Sequence, residues 1–340
     1  MTIHVGINGF GRIGRCTLSH IAQSGRDDIR VVKVNATGPL DTAAHLMRYD
    51  SVHGRFPGQI TVGDGTMDLG QGPIQMYSTY DPAEIDWSGC DVVLECTGKF
   101  NDGETAAVHL DQGAGAVLIS APAKNVQKTV VYGVNDHELS ADTTMVSNGS
   151  CTTNCLAPLA KVLDEAFGIE HGIMTTVHSY TGDQSTIDRR HKDLYRARAA
   201  AMAMIPTTTG AAKALGEVLP KLKGKLDGSS IRVPTPNVSA VDLTFRAGRN
   251  VTAEEVNAAV AAAVKGKMAR VLAYDSEQKV SVDFNHTEES SIFAPDQTRV
   301  VDGRMVRVLA WYDNEWGFSA RMADVAVAMG RLQKSALAAA

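Results

Sequence analysis

The sequence predicts an α/β protein that opens as a doubly wound parallel sheet and continues as an α+β half with a mixed or antiparallel sheet. Three observations predict this. Short β-branched apolar runs alternate with helix-spaced segments as far as Gly149, the pattern of repeated βαβ units. Beyond it, long segments alternate apolar and polar residues, as in a sheet with one covered face. The length, 340 residues, exceeds what one ordinary core organises, so two domains are expected.

Each element follows from its residues. "HVGIN" (4–8) and "IRVVKV" (29–34) are apolar runs suited to buried parallel strands. Between them Ile13, Leu18, Ile21 and Ala22 recur at helical spacing, and Gly25 supplies a stop. Strands are expected again at "CDVVLECTG" (90–98), "AVLISAP" (116–122) and "TVVYGVN" (129–135), with a helix over "GETAAVHLDQGA" (103–114). After Gly149, "SCTTNCLAPLAKVLDEAFG" reads as an amphipathic helix with Leu156, Leu159, Leu163 and Phe167 on one face. "IRVPTPNVSAVDLTFRAG" and "RMVRVLAWYDNEW" suit strands of the second sheet, and Thr252 with Glu255 has the spacing of a capping box. The expected domains are 1–149 and 150–317, with a C-terminal helix (318–340) packing back onto the first.

Composition narrows the class. A hydrophobic share of 44% with 21% charged residues is that of a soluble globular chain. The net charge of −5 argues against nucleic acid or an anionic membrane as the main partner. No apolar run reaches the length of a membrane span. "MTIHVGINGF" enters a strand pattern at once, so no signal peptide is expected. Five irregularly spaced cysteines do not form a disulfide framework, and a cytoplasmic location fits.

Chemistry concentrates in three places. Gly9-Phe10-Gly11-Arg12-Ile13-Gly14 lies between a strand and a helix, where glycine permits a tight turn and close approach of a pyrophosphate to the helix N-terminus. The fold of the first domain is therefore Rossmann-type and dinucleotide-binding. Cys151 stands at a helix start with Ser150 as cap, a position that favours thiolate, although a free cysteine is often only a small buried hydrophobe. Cys155 fits that second role, and no Cys/His pair at metal spacing accompanies the two, so no metal is expected. His178 ends the strand-like "GIMTTVH"; it suits a thiol's acid/base partner, although a lone histidine at a strand end is more often structural.

"GINGFGRIGR", "YDSVHGRF", "ECTGKF", "SAPAK", "SNGSCTTNCLAPLAKVL", "HSYTGDQ", "HKDLYRARAAA", "IPTTTGAAKA", "RVPTPNVSAVDL" and "WYDNEWGFS" occur in this order. Together they closely resemble the phosphorylating glyceraldehyde-3-phosphate dehydrogenase family, over about residues 3 to 330. The resemblance implies that Cys151 attacks the aldehyde, that hydride passes to nicotinamide, and that inorganic phosphate cleaves the resulting thioester. His178 then activates the thiol and serves as acid/base. Thr181 and Arg232 match the family's site for the substrate phosphate. Ser150, Thr152, Thr209 and Gly210 match the site for the attacking phosphate, with Arg196 as its guanidinium and Arg198 a competing choice. Thr97 and Ser120 match cofactor contacts, and Asn314 the residue that holds the nicotinamide carboxamide. The family precedent is a homotetramer that takes glyceraldehyde 3-phosphate and inorganic phosphate. Erythrose-4-phosphate dehydrogenase, which shares the Cys/His pair, is the alternative, and "VSVDFNH" (280–286) has some of its character.

Some positions depart from the family pattern. Gly149 replaces the usual Ala, and Phe318 stands where Tyr is frequent. "VVKVNATGPL" carries Asn35, Ala36 and Thr37 where the pattern reads Asn-Asp-Leu, so Ala36 takes the place of the ribose-binding Asp. That loss weakens NAD by about 1.5–3 kcal/mol unless replaced, and it removes repulsion against a 2′-phosphate. Arg189 and Arg190 stand where NAD-specific members carry Leu-Pro, on a loop that in the family reaches a neighbouring subunit's ribose. Two guanidinium groups there suit a 2′-phosphate. NADP use, preferred or alongside NAD, is therefore expected. Tyr80 stands where an Arg near the adenine is common.

Overall fold

The computed structural model describes residues 1–339. The chain divides into two compact units, one of Met1–Gly149 with the segment from Ser319 onward, the other of Ser150–Phe318.

Among the described residues the first unit holds a nine-stranded sheet, in the order 128–129, 145–147, 116–119, 92–95, 3–8, 29–35, 74–77, 66–68, 61–63. Its first seven strands run parallel. The last two turn back as an antiparallel edge. From the strand Ile3–Asn8 the chain winds first to Ile29–Asn35 on one side and later to Val92–Glu95 on the other. That reversal opens a crevice at the carboxyl ends of the strands, where ligands of such sheets bind. The helix Arg12–Gln23 buries Cys16, Leu18 and Ile21, and Gly25 at φ +65° turns the chain into the next strand. Late in the helix Trp316–Ala339, Gly330 lies against Ile3, and Lys334 Nζ donates to the Thr2 carbonyl at 2.9 Å.

The second unit holds a mixed sheet among its described residues, in the order 205–208, 226–233, 169–179, 239–247, 305–312, 291–293, 272–274. The strand Ile169–Ser179 is parallel to Leu226–Val233 and antiparallel to Ser239–Ala247. No helix among the described residues is long and apolar enough to cross a membrane.

Several expectations need correction. "TVVYGVN" is strand only at Thr129; Asn135 folds back, its Oδ1 accepting from Val131 N and its Nδ2 donating to the Thr129 carbonyl. That closure and Gly133 at φ +79° make a turn, and the next parallel strand is Met145–Ser147 instead. The helix over 103–114 is two short pieces, Gly103–Ala106 and Val108–Asp111. The helix Cys151–Phe167 is not amphipathic in use: 12 of its 17 residues are buried, so it is a central helix. The capping box of Thr252 and Glu255 is formed on Ala253–Val264.

Candidate active site

The second unit brings Cys151, His178, Thr181, Arg196, Arg232 and Asn314 into one connected cluster. Ser150 is extended (φ −107°, ψ 164°) and its Oγ accepts from Thr153 N at 3.0 Å, which starts the helix at Cys151. Cys151 Sγ lies 3.4 Å from His178 Nε2. His178 Nδ1 is 2.7 Å from the Ser179 carbonyl oxygen. A carbonyl only accepts, so Nδ1 carries the proton and Nε2 is the bare nitrogen facing the thiol. Tyr312 holds the ring edge-on, with centroids 5.9 Å apart, and its hydroxyl joins Thr152 Oγ1 at 2.9 Å and Thr176 Oγ1 at 2.8 Å.

His178 and Arg232 are cross-strand neighbours in the parallel pair. Arg232 Nη1 donates to Thr181 Oγ1 at 2.8 Å and to the Ser179 carbonyl at 3.2 Å, while its buried Nε has no partner. A buried donor without a partner is a costly arrangement that an anionic ligand relieves. Asp183 accepts from Thr181 Oγ1 and from Arg196 Nη1. Arg196 Nε also reaches Thr207 Oγ1 at 3.0 Å. Arg198 instead pairs with the exposed Asp188, so Arg196 is the arginine that the cluster includes.

Burial acts against the charged form of both members of the pair. Burial pushes the Cys151 thiol up, opposed by Arg232 and by the backbone N–H of Thr152. Burial, helped by Arg232, holds the His178 imidazole down at about 3, against the pull of the Ser179 carbonyl and Asp183. Arg232 thus favours thiolate and disfavours imidazolium at the same time.

The remaining residues divide. Asn314 Oδ1 accepts from Ser179 Oγ and Ser239 Oγ, both at 2.9 Å, which leaves its NH₂ as the group to offer a ligand. Thr152 has its hydroxyl committed to Tyr312, so its backbone N–H is what remains near the thiol. Thr209 caps the helix Ala211–Val218, its Oγ1 accepting from Ala211 N, and Gly210 is that helix's N-cap residue. Among the described residues no hydrogen bond ties Thr209 or Gly210 to Cys151. Arg189 and Arg190 are exposed and form no ion pair among the described residues, although the adjacent Asp188 pairs with Arg198.

In the first unit a cleft of about 360 Å³ opens at the strand ends, walled by Gly9, Phe10, Gly11, Asn35, Ala36 and Thr37 on one side and Thr97 on another. Gly9 adopts φ +97°, and a Cβ on Gly14 would stand 2.1 Å from the Gly9 carbonyl oxygen. Gly11, by contrast, has nothing within 4 Å of where its Cβ would be. Its bareness opens the N-terminus of Arg12–Gln23, whose first turn carries no acid and no side-chain cap. Such a cradle fits a pyrophosphate. Arg12 turns to Asp50 and, like Ile13 and Ser120, is not in the cleft wall; Ser120 N donates to the Glu95 carbonyl. Beneath the floor, Asn35 Nδ2 donates to Asn8 Oδ1 (2.8 Å) and Asn8 Nδ2 to Glu95 Oε2 (2.7 Å). Glu95 Oε1 accepts from Thr97 N, and Oε2 lies 3.0 Å from His109 Nε2.

Tyr312, Asp183, Ser239, Glu95 and His109 were not singled out from the sequence. Tyr312 and Ser239 act through partners far along the chain, and Asp183, Glu95 and His109 through contacts that no sequence motif marks. The clearest available signal was "WYDNEW", which carries Tyr312 two residues before Asn314.

Comparison with known proteins accords with this geometry. Residues 3–103 match the glyceraldehyde 3-phosphate dehydrogenase NAD binding domain, and residues 150–314 match the C-terminal domain of the same enzymes. A glyceraldehyde-3-phosphate dehydrogenase of Cereibacter sphaeroides is 62% identical over 332 residues, covering 98% of this chain and 100% of the relative. Those of Xanthobacter flavus and Geobacillus stearothermophilus are 59% and 52% identical, covering 98% and 96% of this chain and 100% and 98% of theirs. The class is that of two-domain oxidoreductases with a nicotinamide-dinucleotide fold. Within it, the chain belongs to the glyceraldehyde-3-phosphate dehydrogenase family.

Proposed function

We propose that the protein oxidises glyceraldehyde 3-phosphate to 1,3-bisphosphoglycerate through a thioester on Cys151. The observation that carries this reading is the Cys151–His178 contact at 3.4 Å beside the linked Arg232 and Thr181. His178 Nε2 takes the thiol proton as Sγ attacks the aldehyde carbon and passes it to the new alkoxide, giving the thiohemiacetal hydroxyl, while the Arg232–Thr181 pair holds the substrate phosphate. The cleft of Gly9, Gly11 and Asn35 would hold a nicotinamide dinucleotide, which would supply the hydride acceptor, and the Asn314 NH₂ would be the donor offered to its carboxamide. His178 then takes the hydroxyl proton of the thiohemiacetal as the carbonyl reforms. Inorganic phosphate attacks the thioester carbon, the C–S bond breaks, and His178 returns its proton to the leaving sulfur. Ser150, the Thr152 N–H, Thr209, Gly210 and Arg196 are the groups offered to that second anion. Sulfur suits the task because its ester retains the oxidation energy for phosphorolysis.

The test is production of reduced cofactor from glyceraldehyde 3-phosphate with and without inorganic phosphate. Turnover that requires phosphate and vanishes in Cys151→Ser supports the reading. Turnover indifferent to phosphate favours the erythrose-4-phosphate dehydrogenase alternative.

The cofactor reading is NADP, preferred or shared with NAD. It is supported by Ala36, buried in the cleft wall where a carboxylate would otherwise meet the ribose, and by Arg189 and Arg190 on an exposed segment. The kcat/KM for NADP is expected to equal or exceed that for NAD. A strong NAD preference unchanged by Ala36→Asp would overturn it. A cytoplasmic homotetramer completes the reading, supported by the outward apolar residues Ile173, Val177 and Ile231 on the second unit's sheet.

A further inference from the structure

We infer that Lys99, steadied by the ring of Tyr80, recognises the 2′-phosphate of NADP from within the subunit that binds it. This rests on the NADP reading above and assigns a specificity residue that is independent of Arg189 and Arg190.

Topology supplies the first reason. In the first sheet the strands run in the order 92–95, 3–8, 29–35, 74–77. Lys99 follows the strand Val92–Glu95 and Tyr80 follows Ile74–Tyr77, so they rise on opposite sides of the two central strands. Their contact, with Lys99 Nζ 5.5 Å from the Tyr80 ring centroid, therefore spans the carboxyl ends of those central strands. Ala36 is the first residue after one of them, and Ala36, Thr37, Tyr80 and Lys99 all wall the same cleft.

Charge supplies the second. No carboxylate is among the described residues of that wall. Arg15 is the other cation there, and its Nη1 donates to the Phe10 carbonyl at 2.8 Å. Lys99 makes no ion pair among the described residues, and Tyr80 is 81% exposed, so the ammonium rests on an open ring. A cation over an aromatic face is held in place without being neutralised. Lys99 thus brings a positive charge, with no carboxylate partner among the described residues, to the same cleft wall as Ala36, where a ribose-binding carboxylate is missing. A 2′-phosphate dianion matches that charge, whereas the 2′-hydroxyl of NAD gains little from it.

The half-ligands 2′,5′-ADP and 5′-AMP differ only by this phosphate and test the inference by calorimetry on the full chain. The native protein is expected to prefer 2′,5′-ADP. Lys99→Gln, an exposed and conservative change, is expected to weaken 2′,5′-ADP about tenfold and leave 5′-AMP within about twofold. Tyr80→Leu is expected to lose part of the same preference. If the native protein discriminates and Lys99→Gln discriminates equally, the Lys99 assignment falls while the NADP reading stands. In that case loss of discrimination in Arg189→Leu with Arg190→Pro moves the recognition to the arginines. If the native protein does not discriminate at all, both readings fall.

Discussion

Gly9, Gly11 and Gly14 look alike in the sequence, yet each is glycine for a different reason. Gly9 needs its positive φ, and Gly14 must clear the Gly9 carbonyl at 2.1 Å. Gly11 meets no protein atom, so its missing side chain serves a ligand. Gly14→Ala is expected to destabilise the first unit by about 2 kcal/mol or more. Gly11→Ala is expected to keep its melting temperature and lose about tenfold or more in dinucleotide affinity. Calorimetric binding with thermal melting separates the two, and an unchanged affinity in Gly11→Ala would mean that the pyrophosphate lies elsewhere. Asp50 offers a test by pH. Burial alone would raise its carboxyl, but Arg12 and the backbone N–H groups of His53 and Val52 hold it at about 2, below the ordinary 3.8. A depressed carboxyl stabilises the fold above its unfolded pKa, and that stability is lost as pH falls through the folded value. The pair is partly hydrated, so its contribution is about 1 kcal/mol. The melting-temperature gap between native protein and Asp50→Asn is expected to be full near pH 6 and to close as pH falls from about 4 towards 2.

Among the elements, the helix Cys151–Phe167 decides where the nucleophile stands. Ser150 is its cap, bonded to Thr153 N at 3.0 Å and Thr153 Oγ1 at 2.8 Å. Ser150→Ala is expected to cost about 1 kcal/mol in thermal unfolding and to lower kcat as Cys151 loses its fixed place. A variant with native stability and native kcat would show that the cap does not position the thiol. This element was legible in the sequence because its signal is local: a serine, then an apolar helical run. The glycine turn and the strands at 4–8 and 29–34 were legible for the same reason. "TVVYGVN" misled because Val130 and Val131 are fully buried, as strand residues are, while Asn135 closes the chain into a turn. Tyr312 and Asp183 could not be read locally. Thr152 and Thr176 meet Tyr312 only through tertiary packing, and although Thr181 is a local partner of Asp183, Arg196 reaches it from thirteen residues on. The cap and the Cys/His pairing therefore differ in kind: the first is written in adjacent residues, the second in the packing of a helix start against a strand.

For the molecule as a whole, the two units carry separate tasks, a dinucleotide cleft in one and the thiol cluster in the other. Assembly adds a further level. Ile173 is 59% exposed on the outward face of the second sheet, beside Val177 and Ile231. If the chain assembles as the proposed tetramer, Ile173→Lys is expected to shift it toward smaller species in light scattering, and an unmoved mass would remove that face from the assembly. The central claim is the thioester on Cys151, and omission of inorganic phosphate tests it most directly. With glyceraldehyde 3-phosphate and cofactor alone, a burst of about one reduced cofactor per chain is expected, with an acyl adduct on the Cys151 peptide by mass spectrometry. Added phosphate should then release the adduct as acyl phosphate and restore turnover. Sustained turnover without phosphate, or a burst with no adduct on Cys151, would contradict the mechanism.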